Sequence, residues 1–181
     1  MTFFRILFLL CGLLLTAVFC RAADEFPDVK QVRKQLVLAI NSGHTTDSLF
    51  AKLDELNHKP PLILAYLATL DALKAKHTWN PYNKIKYLNL CQRRLKDAVN
   101  GDPHNVEIRF MRFSIQHNVP GFLGYGTDLL TDREEMIRQL ERKNYGSADK
   151  ELTISIIRFL LESKRCTPAE NLKLRQYLAA L

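Results

Sequence analysis

The chain has 181 residues, 47% of them hydrophobic and 25% charged, with a formal net charge of +7. That length suits one domain with a proper core, and no stretch is of low complexity. In a cytosolic protein the positive excess would suggest nucleic acid. The N-terminal segment described next removes that reading and favours an anionic envelope surface, an acidic partner protein, or simply solvated Lys and Arg on helix faces.

Arg5 stands as a single charge before an apolar run over residues 6–19, and the small residues Ala22 and Ala23 follow. This is the layout of a secretory signal peptide, and the run is shorter than the roughly 18–20 apolar residues of a membrane-spanning helix. Cleavage after Ala22 puts Cys20 and Ala22 at the small-residue positions, and cleavage after Ala23 is nearly as good. A retained anchor and a lipid anchor are the lesser alternatives, the latter disfavoured by the large Phe19 before Cys20. The expectation is therefore an exported protein, periplasmic or secreted, with residues 1–22 as signal peptide and 23–181 as a single helical domain. Loss of the leader removes Arg5, Arg21, Cys11 and Cys20. Cys91 and Cys166 remain, in a compartment where a disulfide survives. A bridge would close a loop of about 75 residues and contribute about 4 kcal/mol. Equally, Cys91 lies on the apolar face of an expected helix, where a buried free thiol is ordinary.

After the leader no segment alternates with period two, and helical spacing recurs instead. The spacing predicts a first helix over 28–41, with Val29, Val32, Leu36, Val37 and Ile40 inward and Ser42-Gly43 as its stop. A second starts at Thr46 or Asp47 and carries Leu49, Phe50, Leu53 and Leu56; Pro60-Pro61 ends it and opens a third over 62–77. In that third helix Ala65, Ala68, Ala72 and Ala75 form a stripe of small side chains that lets a neighbour approach closely. Asp71 interrupts its apolar run, so it does not span a membrane. A fourth helix follows over 82–99, with Cys91 and Leu95 inward. Gly101 is read as its end, Asp102 as the next cap and Pro103 as the next helix's first position. The fifth helix is apolar on two sides, Val106, Phe110 and Phe113 on one and Ile108, Met111 and Ile115 on the other. Only Arg109, Arg112 and Gln116 form a narrow polar stripe, as expected of a helix held between neighbours. An aromatic loop over 118–126 leads to a sixth helix ending near Lys143, where Thr131 and Glu134 have capping-box spacing. A seventh, capped by Ser147, runs to Glu162, and the last opens on the capping box Thr167-Pro168-Ala169-Glu170.

Pro61 and Pro103 stand about 42 positions apart, each opening a helix paired with its successor, a spacing near that of helical solenoids. The Asp102-Pro103-His104-Asn105 junction resembles the joint between tetratricopeptide repeats, in degenerate form over residues 62–140, since the signature Trp, Gly and Tyr positions are not all filled. Residues 107–125, with the preceding 77–88, are also similar to an uncharacterised family of short exported bacterial helical proteins. These resemblances imply an all-α fold of stacked antiparallel helix pairs, a tetratricopeptide-like superhelix or bundle of about seven to eight helices. Neither supplies an active site.

No reaction is named by the residues. His44, His58, His77, His104 and His117 never pair with Cys, Asp or Glu at ligand spacing, so no metal site is expected; His58, His77 and His117 sit near helix ends, where imidazole suits the dipole. Gly121, Gly124 and Gly126 follow a helix and are interleaved with Phe122, Leu123 and Tyr125, unlike a phosphate loop. Ser114 lies within a helix, adjacent Glu134 and Glu135 diverge, and no Cys-x-x-Cys occurs. No catalytic residue and no cofactor is expected. The one constellation with binding chemistry is Arg109, Arg112 and Gln116 with the rings of Trp79, Tyr82, Phe122 and Tyr125. In tetratricopeptide-like stacks the first helix of each pair lines the concave face, which would set the arginines in a groove for a carboxylate-bearing peptide or an anion. Internal ion pairing with Glu107 or Asp128, or plain exposure, is the competing reading. The expected role is non-enzymatic binding or scaffolding of a protein partner in the cell envelope, with no nucleic acid and no membrane span after cleavage. The alternative is an envelope enzyme or small anionic-ligand binder with a site assembled between helices.

Overall fold

Side chains that bond their own backbone set the starts of most helices. In the computed structural model, which describes residues 27–181, Asp28, Ser42, Asn80, Asn105, Asp149 and Thr167 each accept a hydrogen bond from an amide of the helix that follows. Pro61, Pro81 and Pro168 occupy first-turn positions, where a missing N–H costs nothing. The result is eight α-helices among the described residues. They are α1 (Val29–Ala39), α2 (Gly43–Asp54), α3 (Pro61–His77), α4 (Pro81–Gly101), α5 (Val106–Asn118), α6 (Leu129–Glu141), α7 (Lys150–Glu162) and α8 (Pro168–Ala180). A 3-10 turn, Gly121–Leu123, lies between α5 and α6, and no strand occurs among the described residues. The expected signal peptide lies outside the described residues.

The all-α fold of about seven to eight helices is present, and the Thr167–Glu170 capping box forms in full. Other ends move for local reasons. Asp102 does not cap α5. Its carboxylate takes the Asn105 side-chain amide at 3.0 Å, and Asn105 caps the helix through the amides of Glu107 and Ile108. Pro103 thus sits in the turn rather than at a helix start. Ser42 caps α2, which starts at Gly43 rather than at Thr46 or Asp47, and the Thr46 hydroxyl is buried, donating to the carbonyls of Ala39 and Ser42. Asp149 rather than Ser147 caps α7, and α6 begins at Leu129 without a side-chain cap. Val37 and Ile40, expected inward on α1, are exposed; Val32 and Ala39 face the core.

Helices adjacent in sequence are mostly adjacent in space, and α3 and α4 share the most extensive contact. Ala65, Ala68 and Ala75 are buried along α3, so the stripe of small side chains is covered. At the far end of the pair the backbones come close enough to require glycine: a Cβ on Gly101 would lie 2.8 Å from the Pro61 ring. Asp71, in the middle of α3, is buried and paired with Arg94 of α4.

Two apolar clusters form, and α5 separates them. Ile108, Met111 and Ile115 join the first, with Val32, Leu49, Leu53, Ile63, Leu67, Leu70, Cys91 and Leu95 of α1–α4. Val106, Phe110 and Phe113 join the second, with Met136, Ile137 and Leu140 of α6, Ile156, Ile157 and Leu160 of α7, and Leu174 of α8. Phe159 meets the rings of Phe110 and Phe113 edge-on, with centroids 5.4 and 6.1 Å apart. The two-sided spacing of α5 is therefore real, and the helix ties the halves together.

Candidate functional site

The polar stripe of α5 faces inward. Arg109 and Arg112 are only 8% and 7% exposed, and both reach Asp132, which α6 buries completely. Arg109 Nη1 donates to Asp132 Oδ1 at 2.8 Å; Arg112 donates through Nε to Oδ2 at 2.7 Å and through Nη2 to Oδ1 at 2.6 Å. Arg109 Nε also donates to the Pro103 carbonyl, and Arg112 lies 3.4 Å from the Asp128 carboxylate. Gln116 completes the third side, donating to Asp128 and accepting from its amide. A buried carboxylate must be paired, and two guanidinium forks pair this one. The arginines consequently do not line an open groove. Of the acids weighed for them, Asp128 takes part; Asp132, one helical turn on, is the main partner.

Glu107 does something else. Buried between the apolar Val106 and Ile108, it accepts from Arg33 Nε at 2.8 Å and Arg33 Nη2 at 2.7 Å, from the Tyr66 hydroxyl at 2.5 Å and from the Ser147 hydroxyl at 2.6 Å. Arg33 also reaches the Ser147 carbonyl and the Asp149 carboxylate. One carboxylate thus joins α1, α3, α5 and the segment before α7. Burial, then the adjacent Glu107 charge and hydrogen bond, raise the Tyr66 phenol well above its ordinary range. The hydrogen bond to Glu107 holds the Arg33 guanidinium more firmly protonated. With four hydrogen bonds from three elements converging on it, Glu107 holds those elements together. Arg33 could not have been linked to it from spacing.

The rings lie outside. Trp79, Tyr82 and Phe122 are 97%, 76% and 88% exposed. Tyr125 is half-buried and fastens its loop to α4: its hydroxyl donates to Asn89 at 2.8 Å, and its carbonyl accepts from Gln92 at 3.2 Å. Beside this latch an open cleft of about 600 Å³ runs along the outer face of α4, lined by Tyr82, Ile85, Lys86, Asn89, Gln92 and Arg93. Neither Lys86 nor Arg93 has an ion-pair partner among the described residues. The expected grouping of Arg109, Arg112 and Gln116 with the four rings therefore does not form; of those rings only Tyr82 lines this cleft, beside Lys86 and Arg93 of α4. Lys86 and Arg93 are seven positions apart, so they return to one helix face, a periodicity that could have marked them.

Cys91 and Cys166 are free thiols rather than a bridge, because they belong to different clusters, Cys91 to the first and Cys166 to the second. Burial pushes the Cys91 thiol up to about 12 and the Cys166 thiol up to about 11, so neither is a ready nucleophile. His104 pairs with Glu135 at 2.7 Å, and His77 meets the Ala39 carbonyl at 2.9 Å. His117 accepts from Arg165 and stacks on Phe113. No group of three metal-ligating side chains occurs among the described residues, and none of their helices is long and apolar enough to cross a membrane. Comparison with known proteins finds no match to this chain among family models, curated sequences or solved structures.

Proposed function

We propose that this chain is an exported, non-enzymatic helical protein that binds a protein partner through the outer face of α4, the partner presenting an acidic segment with an apolar side. One observation carries the reading. The buried charges are matched internally, Glu107 by Arg33 and Asp132 by Arg109 and Arg112, whereas Lys86 and Arg93 stand unpaired beside the exposed Tyr82 and Ile85. Two cations without carboxylates call for carboxylates from outside, and exposed rings are frequent anchors of protein interfaces. The cleft wall offers no carboxylate, imidazole or thiol to serve as acid, base or nucleophile, which sets this reading above an enzymatic one. The packing of most helices against the next in sequence is compatible with stacked, tetratricopeptide-like pairs.

Affinity capture from envelope extract, comparing the protein with its Tyr82→Ala/Arg93→Glu variant and identifying captured proteins by mass spectrometry, tests the reading. A partner held by the former and lost by the latter, with binding weakened by salt, is expected. Equal capture by both, or capture of nothing, overturns it. Export rests on the pattern of residues 1–22, and mature material whose first residue is Ala23 or Asp24 is its expected sign; mature material that retains residues 1–22 sinks it.

A further inference from the structure

We propose a second site, separate from the α4 cleft: a recess of about 420 Å³ between the start of α6 and the turn joining α7 to α8 that binds a phosphomonoester dianion. Arg133, Lys164 and Arg165 line it together with Leu129 and Leu130. The charges there do not balance. Arg133 faces Glu170 at 3.3 Å and Glu134 at 3.5 Å and donates to the Arg165 carbonyl, so its charge is met locally, although its buried Nε makes no hydrogen bond. Lys164 has no carboxylate partner among the described residues. Arg165 donates through Nε to His117 Nδ1 at 2.9 Å, a ring whose pKa is lowered by burial and by Arg165 itself and which is therefore neutral near pH 7. Asp128, at the edge of the recess, is no counter-charge either, since Asp128 and Asp132 together match Arg109 and Arg112.

Two adjacent cations are thus left facing open space, which calls for a ligand of two negative charges rather than one. Arg165 keeps both terminal nitrogens free, the fork that suits phosphate oxygens. The Asp128 carboxylate turns to Gln116 and Arg112 instead of capping α6, and the start of that helix, at Leu129 and Leu130, also lines the recess. Leu130, 57% exposed, gives the organic group of an ester an apolar surface beside the charges.

The test is a titration of the purified protein with inorganic phosphate at constant ionic strength, followed by amide chemical shifts, in the protein and in its Lys164→Gln/Arg165→Gln variant. Both positions are exposed, so folding is expected to be unchanged, and the thermal midpoint checks it. Saturable shifts confined to residues 126–133 and 163–166, weakened at least about tenfold in the variant, are expected. Flotation with vesicles of phosphatidylcholine alone or with phosphatidic acid then separates the sources. Lipid-dependent flotation lost in the variant assigns a headgroup, and phosphate binding without flotation assigns a soluble ester; both support the site. Linear shifts, shifts spread over the basic surface, or identical behaviour of the variant mean an adventitious ion only and overturn the proposal.

Discussion

Glu107 and Asp132 are both buried carboxylates met by arginine, yet they hold different things. Glu107 draws on donors 74, 41 and 40 positions away, from α1, from α3 and from the segment before α7. Among the described residues Asp132 draws on Arg109 and Arg112 alone, 23 and 20 positions away on the preceding helix. The same chemistry therefore closes the whole molecule in one place and pins one helix pair in the other. The difference separates a clamp on global stability from a clamp on local geometry.

The largest effect is expected where removal strands the most. Glu107→Ala leaves the Tyr66 and Ser147 hydroxyls without their acceptor and Arg33 with only Asp149 and the Ser147 carbonyl, and should cost about 3–5 kcal/mol, since breaking a buried pair from one side leaves its partners undercompensated. That is a large share of the roughly 5–15 kcal/mol that holds a typical domain together. Urea denaturation measures it; a loss below about 1 kcal/mol would show that Glu107 is not the clamp described. Asp132→Ala should cost less, about 2–3 kcal/mol, because it unties one helix pair rather than several elements and leaves no hydroxyl stranded, Arg109 keeping the Pro103 carbonyl and Arg112 keeping Asp128. Hydrogen exchange sharpens the contrast: faster exchange confined to α5 and α6 for Asp132→Ala, and throughout the chain for Glu107→Ala. Matching patterns in the two variants would erase the distinction.

What could be read from the residues follows the same division between local and distant. The two apolar sides of α5 and the Thr167–Glu170 box are written within a few turns of one helix, and both are present. Asn105 and Asp149 were obscured as caps because Asp102 and Ser147 nearby offer equally good oxygens; Asp102 is taken up by the Asn105 side chain within the turn, and Ser147 by Glu107 across the fold. The Arg33–Glu107 pair leaves no periodic trace at all. A pairing across 74 positions has no spacing to recognise. That the rings at 79, 82 and 122 are exposed fits their loop and first-turn positions, but the cations beside Tyr82 were not legible from the α5 stripe, since they come from its own helix.

Alkaline pH should distinguish the two carboxylates more gently. Tyr66 has a raised pKa in the folded protein, so its contribution is fully present below the unfolded value near 10 and is lost as pH rises above it. Wild-type stability should therefore decline above about pH 10 by more than that of Tyr66→Phe, which itself costs about 1 kcal/mol at neutral pH. The Asp132→Ala substitution leaves Tyr66 and its bond to Glu107 in place, so that variant should keep the full alkaline decline. The comparison fails if Tyr66→Phe declines as steeply as the wild type.

The smallest expected effect on stability is also the one that reports on function. Among the described residues Tyr82, Lys86 and Arg93 lie outside both clusters and make no side-chain bond across the fold, so Tyr82→Ala/Arg93→Glu should change stability by no more than about 0.5 kcal/mol. Against this near-neutral baseline, loss of partner capture is a loss of recognition rather than of folding. Charge reversal at Arg93 should act mainly through the association rate and its salt dependence, because the cation lies at an open rim. Truncation of Tyr82 should act mainly through dissociation, because the ring supplies contact area. A variant that retains the partner at low salt but releases it at physiological salt would assign the larger share to Arg93. One that releases it at every salt concentration would assign that share to the ring.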